Sequence, residues 1–155
     1  MPNHITWADG VLLGLACPRH PRFVAYADYF ENPLLGWIAR LGKIILIKPG
    51  RKSMVQSLRT AREALEAGDI VVVFPEGGLS RTGDVQPFQP GFLKLRGETD
   101  APVVPVFLGG LWGSIFSFER GKFFWKLPRR WPYPVTIRFG RPVEEPRSPE
   151  HVRRE

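Results

Sequence analysis

The sequence predicts an α/β fold, a layered and mostly parallel β-sheet flanked by helices. Short apolar runs alternate with helix-like segments along the whole chain. The runs are continuous rather than alternating, as in strands buried on both faces. Gly and Pro, 16 of each, punctuate them and predict many tight turns. Alternation of this kind packs helices onto a sheet, and working groups then gather at the carboxyl ends of the strands.

Each element has a local reason. Trp7 to Ala16 reads as a short apolar helix stopped by Cys17-Pro18. Arg22 to Tyr26 has strand composition, and Asn32 to Leu41 is helical with Gly42 at its C-cap. The run between Lys43 and Lys48, closed by Pro49-Gly50, is a buried strand. Ser53 to Ala67 is a helix in which Ser53 and Gln56 have capping-box spacing. Met54, Leu58, Ala61 and Leu65 share one of its faces, and Gly68 stops it. Asp69 to Phe74 is a second buried strand, Phe88 to Gly97 a helix, Val103 to Leu108 a third strand and Pro134 to Phe139 a fourth. The tail from Glu144 to Glu155 is polar and stops within a helix-like pattern. With a first motif that starts at residue 3, this predicts a fragment of a longer protein.

Bulk composition narrows the classes. The chain, residues 1–155, is one domain of ordinary size, and its 43% hydrophobic and 24% charged residues are those of a globular protein. The longest apolar run, Val11 to Cys17, is seven residues, against roughly 20 for a bilayer-spanning helix. No basic segment followed by an apolar run opens the chain, so no signal peptide is expected. One cysteine, Cys17, fits a reducing compartment and is expected to be packing. The net charge of +7 points to an anionic partner: nucleic acid, a phospholipid surface or an acidic carrier.

His4 and Asp9 stand five residues apart. At roughly 100° per residue a regular helix would put them on different faces. They meet only if His4 lies in a loop and Asp9 in the first turn of the helix that follows. Thr6 as N-cap with Asp9 at N3 supports that break. Asp9 can then hold the tautomer of His4 and stabilise its imidazolium, as a carboxylate supports a histidine base. The alternative is that Asp9 only caps the helix.

A second candidate is Phe74-Pro75-Glu76-Gly77-Gly78-Leu79-Ser80-Arg81-Thr82-Gly83, directly after a buried strand. Glycines let backbone amides approach an anion, and Arg81 offers phosphate a planar fork. The alternative is a plain strand-end turn. The pattern is neither a P-loop nor a nucleophile elbow.

In order and spacing these blocks resemble the lysophosphatidic acid acyltransferase (PlsC-type) glycerophospholipid acyltransferases. The family's Asn-His-x4-Asp block matches Asn3, His4 and Asp9. Its Gly-x-x-Phe-Ile-x-Arg block matches Gly42 to Lys48. Its Phe-Pro-Glu-Gly-Thr-Arg-Ser block matches Phe74 to Ser80, and its Val-Pro-Val strand matches Val104-Pro105-Val106. The stretches Trp7-Ala-Asp-Gly, Ser80-Arg-Thr-Gly, Leu111-Trp-Gly-Ser-Ile-Phe and Phe124-Trp-Lys-Leu-Pro-Arg-Arg are similar to one branch. In that branch the domain is fused to a transporter-like membrane domain and an acyl-carrier-protein synthetase, and its members resemble 2-acylglycerophosphoethanolamine acyltransferases. Two positions depart from the pattern. Lys48 stands for the second-block arginine, and Leu79 for the third-block arginine, with Arg81 two residues later as its substitute.

The resemblance implies a glycerol-3-phosphate acyltransferase-like fold and acyl transfer from acyl carrier protein or coenzyme A to a lysophospholipid hydroxyl. His4 would be the base and Asp9 its support. Lys48, Glu76, Gly77, Gly78, Ser80, Arg81 and Pro105 would form the substrate-binding set. No metal, cofactor or nucleophilic Ser or Cys is expected. Lysophosphatidic acid and lysophosphatidylethanolamine both stay open as acceptors. The expected place is the cytoplasmic face of a membrane, peripheral or tethered through further domains.

Phe123 to Trp131 interleaves aromatic and basic residues. It reads equally as a contact with anionic lipid, a docking patch for an acidic carrier, or a loop with its aromatics turned inward. The rival functions are a non-catalytic basic module for membrane or nucleic acid, and an inactive acyltransferase-like domain. Against nucleic acid, no recognised binding signature occurs and the basic residues are scattered, so none is expected as a partner.

Overall fold

A computed structural model describes residues 1–97 and 99–154, so Glu155 at the end of the polar tail lies outside the described residues. The chain forms two compact units: Met1–Ala16, Phe74–Pro90 and Pro102–Glu155 in the first, Cys17–Val73 and Gly91–Ala101 in the second.

The second unit holds a three-stranded parallel sheet. Its strands are β1 (Arg22–Tyr26), β2 (Ile45–Ile47) and β3 (Val71–Val72), in the order β2-β1-β3. Val24 pairs with Ile45, and Phe23 with Val72. Helix α2 (Pro33–Leu41) follows a 3-10 turn, Ala27–Phe30. It starts where Asn32 accepts a hydrogen bond from the Leu34 amide and ends at Gly42, as the sequence predicts. Helices α3 (Arg51–Glu66) and α4 (Gly91–Arg96) complete the unit. The core is Val24, Ile45, Ala61, Ala64 and Leu95, with Ile47, Leu58, Val71 and Val73 packed on it.

Helix α3 corrects two expectations. It begins at Arg51, with Gly50 (φ 108°) at the cap, so Ser53 lies inside the helix and no Ser53 capping box forms. Its buried face is Ser57, Ala61 and Ala64, while Met54 is exposed. Small side chains let the helix approach the sheet, and the Ser57 hydroxyl donates to the Leu46 carbonyl at 2.8 Å.

The first unit carries helix α1 (Asp9–Ala16), strands β4 (Val106–Gly109) and β5 (Thr136–Phe139), and helix α5 (Pro149–Arg154). Helix α1 starts two residues later than expected, because Trp7 and Ala8 form the turn that lets Asp9 fold back. Strand β4 also starts late. Pro105 has no N–H to give a ladder, and Val103 makes only an isolated antiparallel bridge to Val143.

β4 and β5 pair antiparallel, Val106 opposite Phe139. A parallel return needs a crossover, usually a helix. The connecting stretch 110–135 holds only a 3-10 turn, Glu119–Gly121. At its start Gly110 (φ 88°) lies so near the Pro134 carbonyl that a Cβ there would sit 1.8 Å from the oxygen, so only glycine fits. The fold class is thus α/β, with a parallel sheet flanked by helices. Among the described residues no helix is long and apolar enough to cross a membrane.

Candidate active site

Within the first unit the segment Met1 to Asn3 lies along β4. The Asn3 amide donates to the Val106 carbonyl, and its buried side chain pairs twice with Leu108: Nδ2 donates to the carbonyl at 3.0 Å, and Oδ1 accepts from the amide at 2.6 Å. This pair of hydrogen bonds brings the next residue, His4, to the end of the strand. The sequence marks Asn3 as part of a motif but assigns it no task, because its partner is 105 positions away.

His4 and Asp9 come together, with Nδ1 of the imidazole 3.0 Å from Oδ2 of the carboxylate. Asp9 is fully buried, while the His4 side chain is 20% exposed. The same Oδ2 accepts from the amides of Ile5 (2.7 Å) and Thr6 (2.9 Å), and Oδ1 accepts from the Thr6 hydroxyl at 2.5 Å. The Thr6 hydroxyl in turn accepts from the Ala8 amide. Only half of the predicted capping box is present: the Asp9 carboxylate takes the Thr6 amide, but the Thr6 hydroxyl accepts from Ala8 and not from the Asp9 amide, so the acid serves the loop before the helix. Every neighbour of the carboxylate is a donor, so Nδ1 carries the proton it donates to Asp9, and Nε2 is the ring nitrogen able to accept one.

The Gly-rich loop holds the main chain of His4 from both sides. The His4 amide donates to Oε1 of Glu76 at 2.6 Å, and its carbonyl accepts from the Ser80 amide at 2.7 Å. Oε2 of Glu76 takes the Gln86 amide at 2.8 Å. Burial pushes the Glu76 carboxyl above the usual range, opposed by those two amides. The imidazole stacks on Phe74 with centroids 3.9 Å apart and planes inclined by 20°. Glu76, Ser80 and Phe74 thus hold His4 from the Gly-rich loop, as Asp9 does from the start of α1.

The remaining predicted residues divide by location. Ser80 is fully buried, and its hydroxyl donates to the Asp84 carbonyl and accepts from the Gly83 amide, closing the loop on itself. Gly77 (φ 76°) and Gly78 are exposed at its rim, the first in a conformation that favours glycine. Arg81 is exposed, its guanidinium 5.3 Å from the centre of the Phe118 ring. Pro105 is buried, and its carbonyl accepts from the Gly140 amide. Lys48 is exposed in the other unit, just past β2.

Stretch 111–126 lies beside the histidine loop. The Trp7 amide donates to the Phe116 carbonyl, and Thr6 bridges to Ser117. Trp7 meets Phe123 edge-on at 6.0 Å, and Phe116, Phe118, Phe123 and Phe124 pack pairwise. Lys126 turns inward, its ammonium donating to the carbonyls of Ser117 and Glu119 and to the Ser117 hydroxyl. Arg129 pairs with the buried Glu119 carboxylate. Trp125, Leu127 and Trp131 are each more than four-fifths exposed. The phenylalanines thus pack on one another, with Phe116 and Phe124 still partly exposed, while Trp125, Leu127 and Trp131 turn outward.

A family model described as "Acyltransferase" matches residues 1–109. A chloroplastic 1-acyl-sn-glycerol-3-phosphate acyltransferase of Brassica napus is 31% identical over 109 residues, which are 70% of this chain and 31% of that one. A 1-acyl-sn-glycerol-3-phosphate acyltransferase of Limnanthes douglasii is 29% identical over 143 residues, 91% of this chain and 48% of that one. The crystal structure of the 1-acyl-sn-glycerophosphate acyltransferase PlsC from Thermotoga maritima superposes with a TM-score of 0.72 at 25% identity, over 99% of this chain and 60% of that one. The chain spans about a third to about half the length of those two plant relatives.

Proposed function

The chain belongs to the acyltransferase family, and from that premise we propose that it moves a fatty acyl group from an acyl thioester to the free hydroxyl of a lysophospholipid. The observation that carries this reading is the His4–Asp9 pair, which leaves Nε2 to act as a base. The acceptor hydroxyl oxygen attacks the thioester carbonyl while Nε2 takes its proton. The tetrahedral intermediate collapses and expels the thiolate, which recovers that proton from the imidazolium. The products are the acylated phospholipid and the free thiol of the carrier. Buried Asp9 offsets the charge that His4 gains midway.

In this reading the Arg81 guanidinium meets the acceptor phosphate, beside Gly77 and Gly78. Lys48 is proposed to belong to the same binding function, on the strength of its place in the second block. Acyl carrier protein or coenzyme A supplies the donor. The resemblance of Trp7-Ala-Asp-Gly, Ser80-Arg-Thr-Gly and Leu111-Trp-Gly-Ser-Ile-Phe to the fused branch is the ground for proposing a chain that works as one part of a longer polypeptide at the cytoplasmic face of a membrane. The +7 charge and the bilayer residence of acceptor and product support that placement.

The test is a panel of lysophospholipids, including lysophosphatidic acid and lysophosphatidylethanolamine, offered with each thioester donor. Ester formation that His4→Ala abolishes is the expected result. A folded chain that acylates none of them from either donor, alone or within its parent polypeptide, overturns the reading.

A further inference from the structure

Helix α2 is turned inside out. At roughly 100° per residue, Trp37, Leu41, Leu34, Ile38 and Leu35 share one broad face. All are exposed, from 40% at Leu35 to 65% at Leu34. The opposite side holds Ala39, 3% exposed, and half-buried Gly36, where a Cβ would sit 3.4 Å from the Phe30 carbonyl oxygen. An amphipathic helix of a globular protein buries its large apolar residues and shows polar ones. This helix turns its two smallest residues inward and shows its five largest apolar ones.

The charge that follows the helix start is one-sided, after Asp28 and Glu31 just before it. From Asn32 to Arg62 the sequence has no Asp or Glu, while Arg40, Lys43, Lys48, Arg51, Lys52, Arg59 and Arg62 are all exposed cations. Tyr26 and Tyr29, just before the helix, are also about half exposed. An apolar face with a Trp at one edge, tyrosines just before it and only cations in the stretch that follows has the chemistry of a helix lying in the plane of an anionic bilayer surface. A soluble partner built to cover the same face would have to match Arg40 and Lys43 as well.

We propose that α2 is an interfacial membrane segment, its Leu34/Trp37/Ile38/Leu41 face inserted among the lipids and Arg40 and Lys43 at the anionic headgroups. This rests on the acyltransferase reading, in which the acceptor is a bilayer lipid, but is tested apart from it.

The experiment is co-sedimentation of the 155-residue chain with phosphatidylcholine vesicles, with and without phosphatidylglycerol, at low and high salt. Binding should need phosphatidylglycerol and fall with salt. Replacing Leu34, Trp37, Ile38 and Leu41 together by Gln should lower partitioning by about tenfold or more, with thermal unfolding unchanged. Arg40→Gln with Lys43→Gln should lower it by roughly tenfold. A polarity-sensitive fluorophore on Leu41→Cys, in a Cys17→Ser background, should shift to the blue only when anionic vesicles are added.

Three results overturn the proposal: no vesicle binding by the parent chain, binding indifferent to the Gln variant, or a fluorophore already blue-shifted without lipid in a chain that sediments as a dimer. The last would assign the face to a second copy. Acyl transfer to micellar lysophospholipid separates the two readings. Transfer by a chain whose α2 ignores vesicles sinks this proposal alone, and α2-dependent binding without transfer sinks only the enzymatic one.

Discussion

The amide of His4 donates a 2.6 Å hydrogen bond to Oε1 of Glu76, and the other oxygen of that carboxylate takes the amide of Gln86. Both oxygens thus face donors, so an isosteric amide cannot serve in place of the acid. Glu76→Gln must point an NH2 group at a backbone N–H. It should lose about 1–3 kcal/mol of stability and lower turnover by loosening His4. Urea unfolding and kcat measured on the same preparation check both effects.

The raised Glu76 pKa sets the direction of a pH effect. Burial favours the protonated form, so the native state holds this proton where the unfolded chain has already released it. The contribution of Glu76 to stability is therefore fully present below the unfolded value, about 4.3, and declines as pH rises through the higher native value. The clamp on His4 works in the opposite sense, because it needs the ionised carboxylate. Activity should fall on acidification through that range while this group adds no instability. The difference in unfolding free energy between wild type and Glu76→Gln, followed against pH, should fall as pH rises above the unfolded value.

His4→Ala should remove transfer while leaving the fold intact, since a positioned base contributes about 10²–10⁴ in rate. Asp9→Asn should be nearly as damaging to rate, and it should also cost stability. Asp9 accepts from His4, Ile5, Thr6 and the Thr6 hydroxyl, and an amide nitrogen can replace only one of its oxygens at the cost of facing donors. Wild-type turnover by both variants, in a parent that is active, would refute the mechanism.

How much of this was legible in the sequence depended on how far each cause lies from its effect. The approach of His4 to Asp9 was readable because Thr6 and Asp9 carry the capping spacing within a few residues. The bounds of α2 were readable for the same reason, from Asn32-Pro33 and Gly42. The start of α3 was misread because Gly50, not a side-chain cap, opens it. The Glu76 clamp joins residues 72 apart, and the Asn3 pairing joins residues 105 apart. No local pattern encodes either. The antiparallel return of β5 likewise follows from what stretch 110–135 fails to form, not from the strand's own composition.

Asn3 should respond to charge without change of shape. Asn3→Asp keeps an acceptor for the Leu108 amide but leaves the Leu108 carbonyl without its donor, and buries a carboxylate besides. A loss of at least about 1–3 kcal/mol in unfolding free energy is expected. If stability is unchanged, the paired hydrogen bonds to β4 contribute nothing to placing His4.

Arg81 should matter to acceptor binding more than to chemistry. It is exposed, lies against Phe118 and follows the loop that holds His4, at the point where the family usually has its arginine two residues earlier. Arg81→Ala should raise the acceptor KM, since a charge-assisted phosphate contact is worth about 1.5–3 kcal/mol, with kcat little changed. An unchanged KM in a folded variant would assign Arg81 to packing on Phe118.

The stretch from Phe123 to Trp131 should divide by residue rather than act as one basic patch. Lys126 spends its ammonium on the carbonyls of Ser117 and Glu119, and Arg129 is paired with Glu119. Burial also holds the Lys126 amine below its usual pKa, against the attraction of Glu119. Lys126→Ala removes the donor that ties 117–119 to this stretch, and should lower the melting temperature by a few degrees, roughly 2–8 °C, without altering vesicle binding. Trp125, Leu127 and Trp131 have no such inward role, and their replacement by Ser should leave the melting temperature unchanged. If Lys126→Ala instead weakens binding to anionic vesicles at constant melting temperature, its ammonium serves the lipid and the carbonyl contacts are incidental.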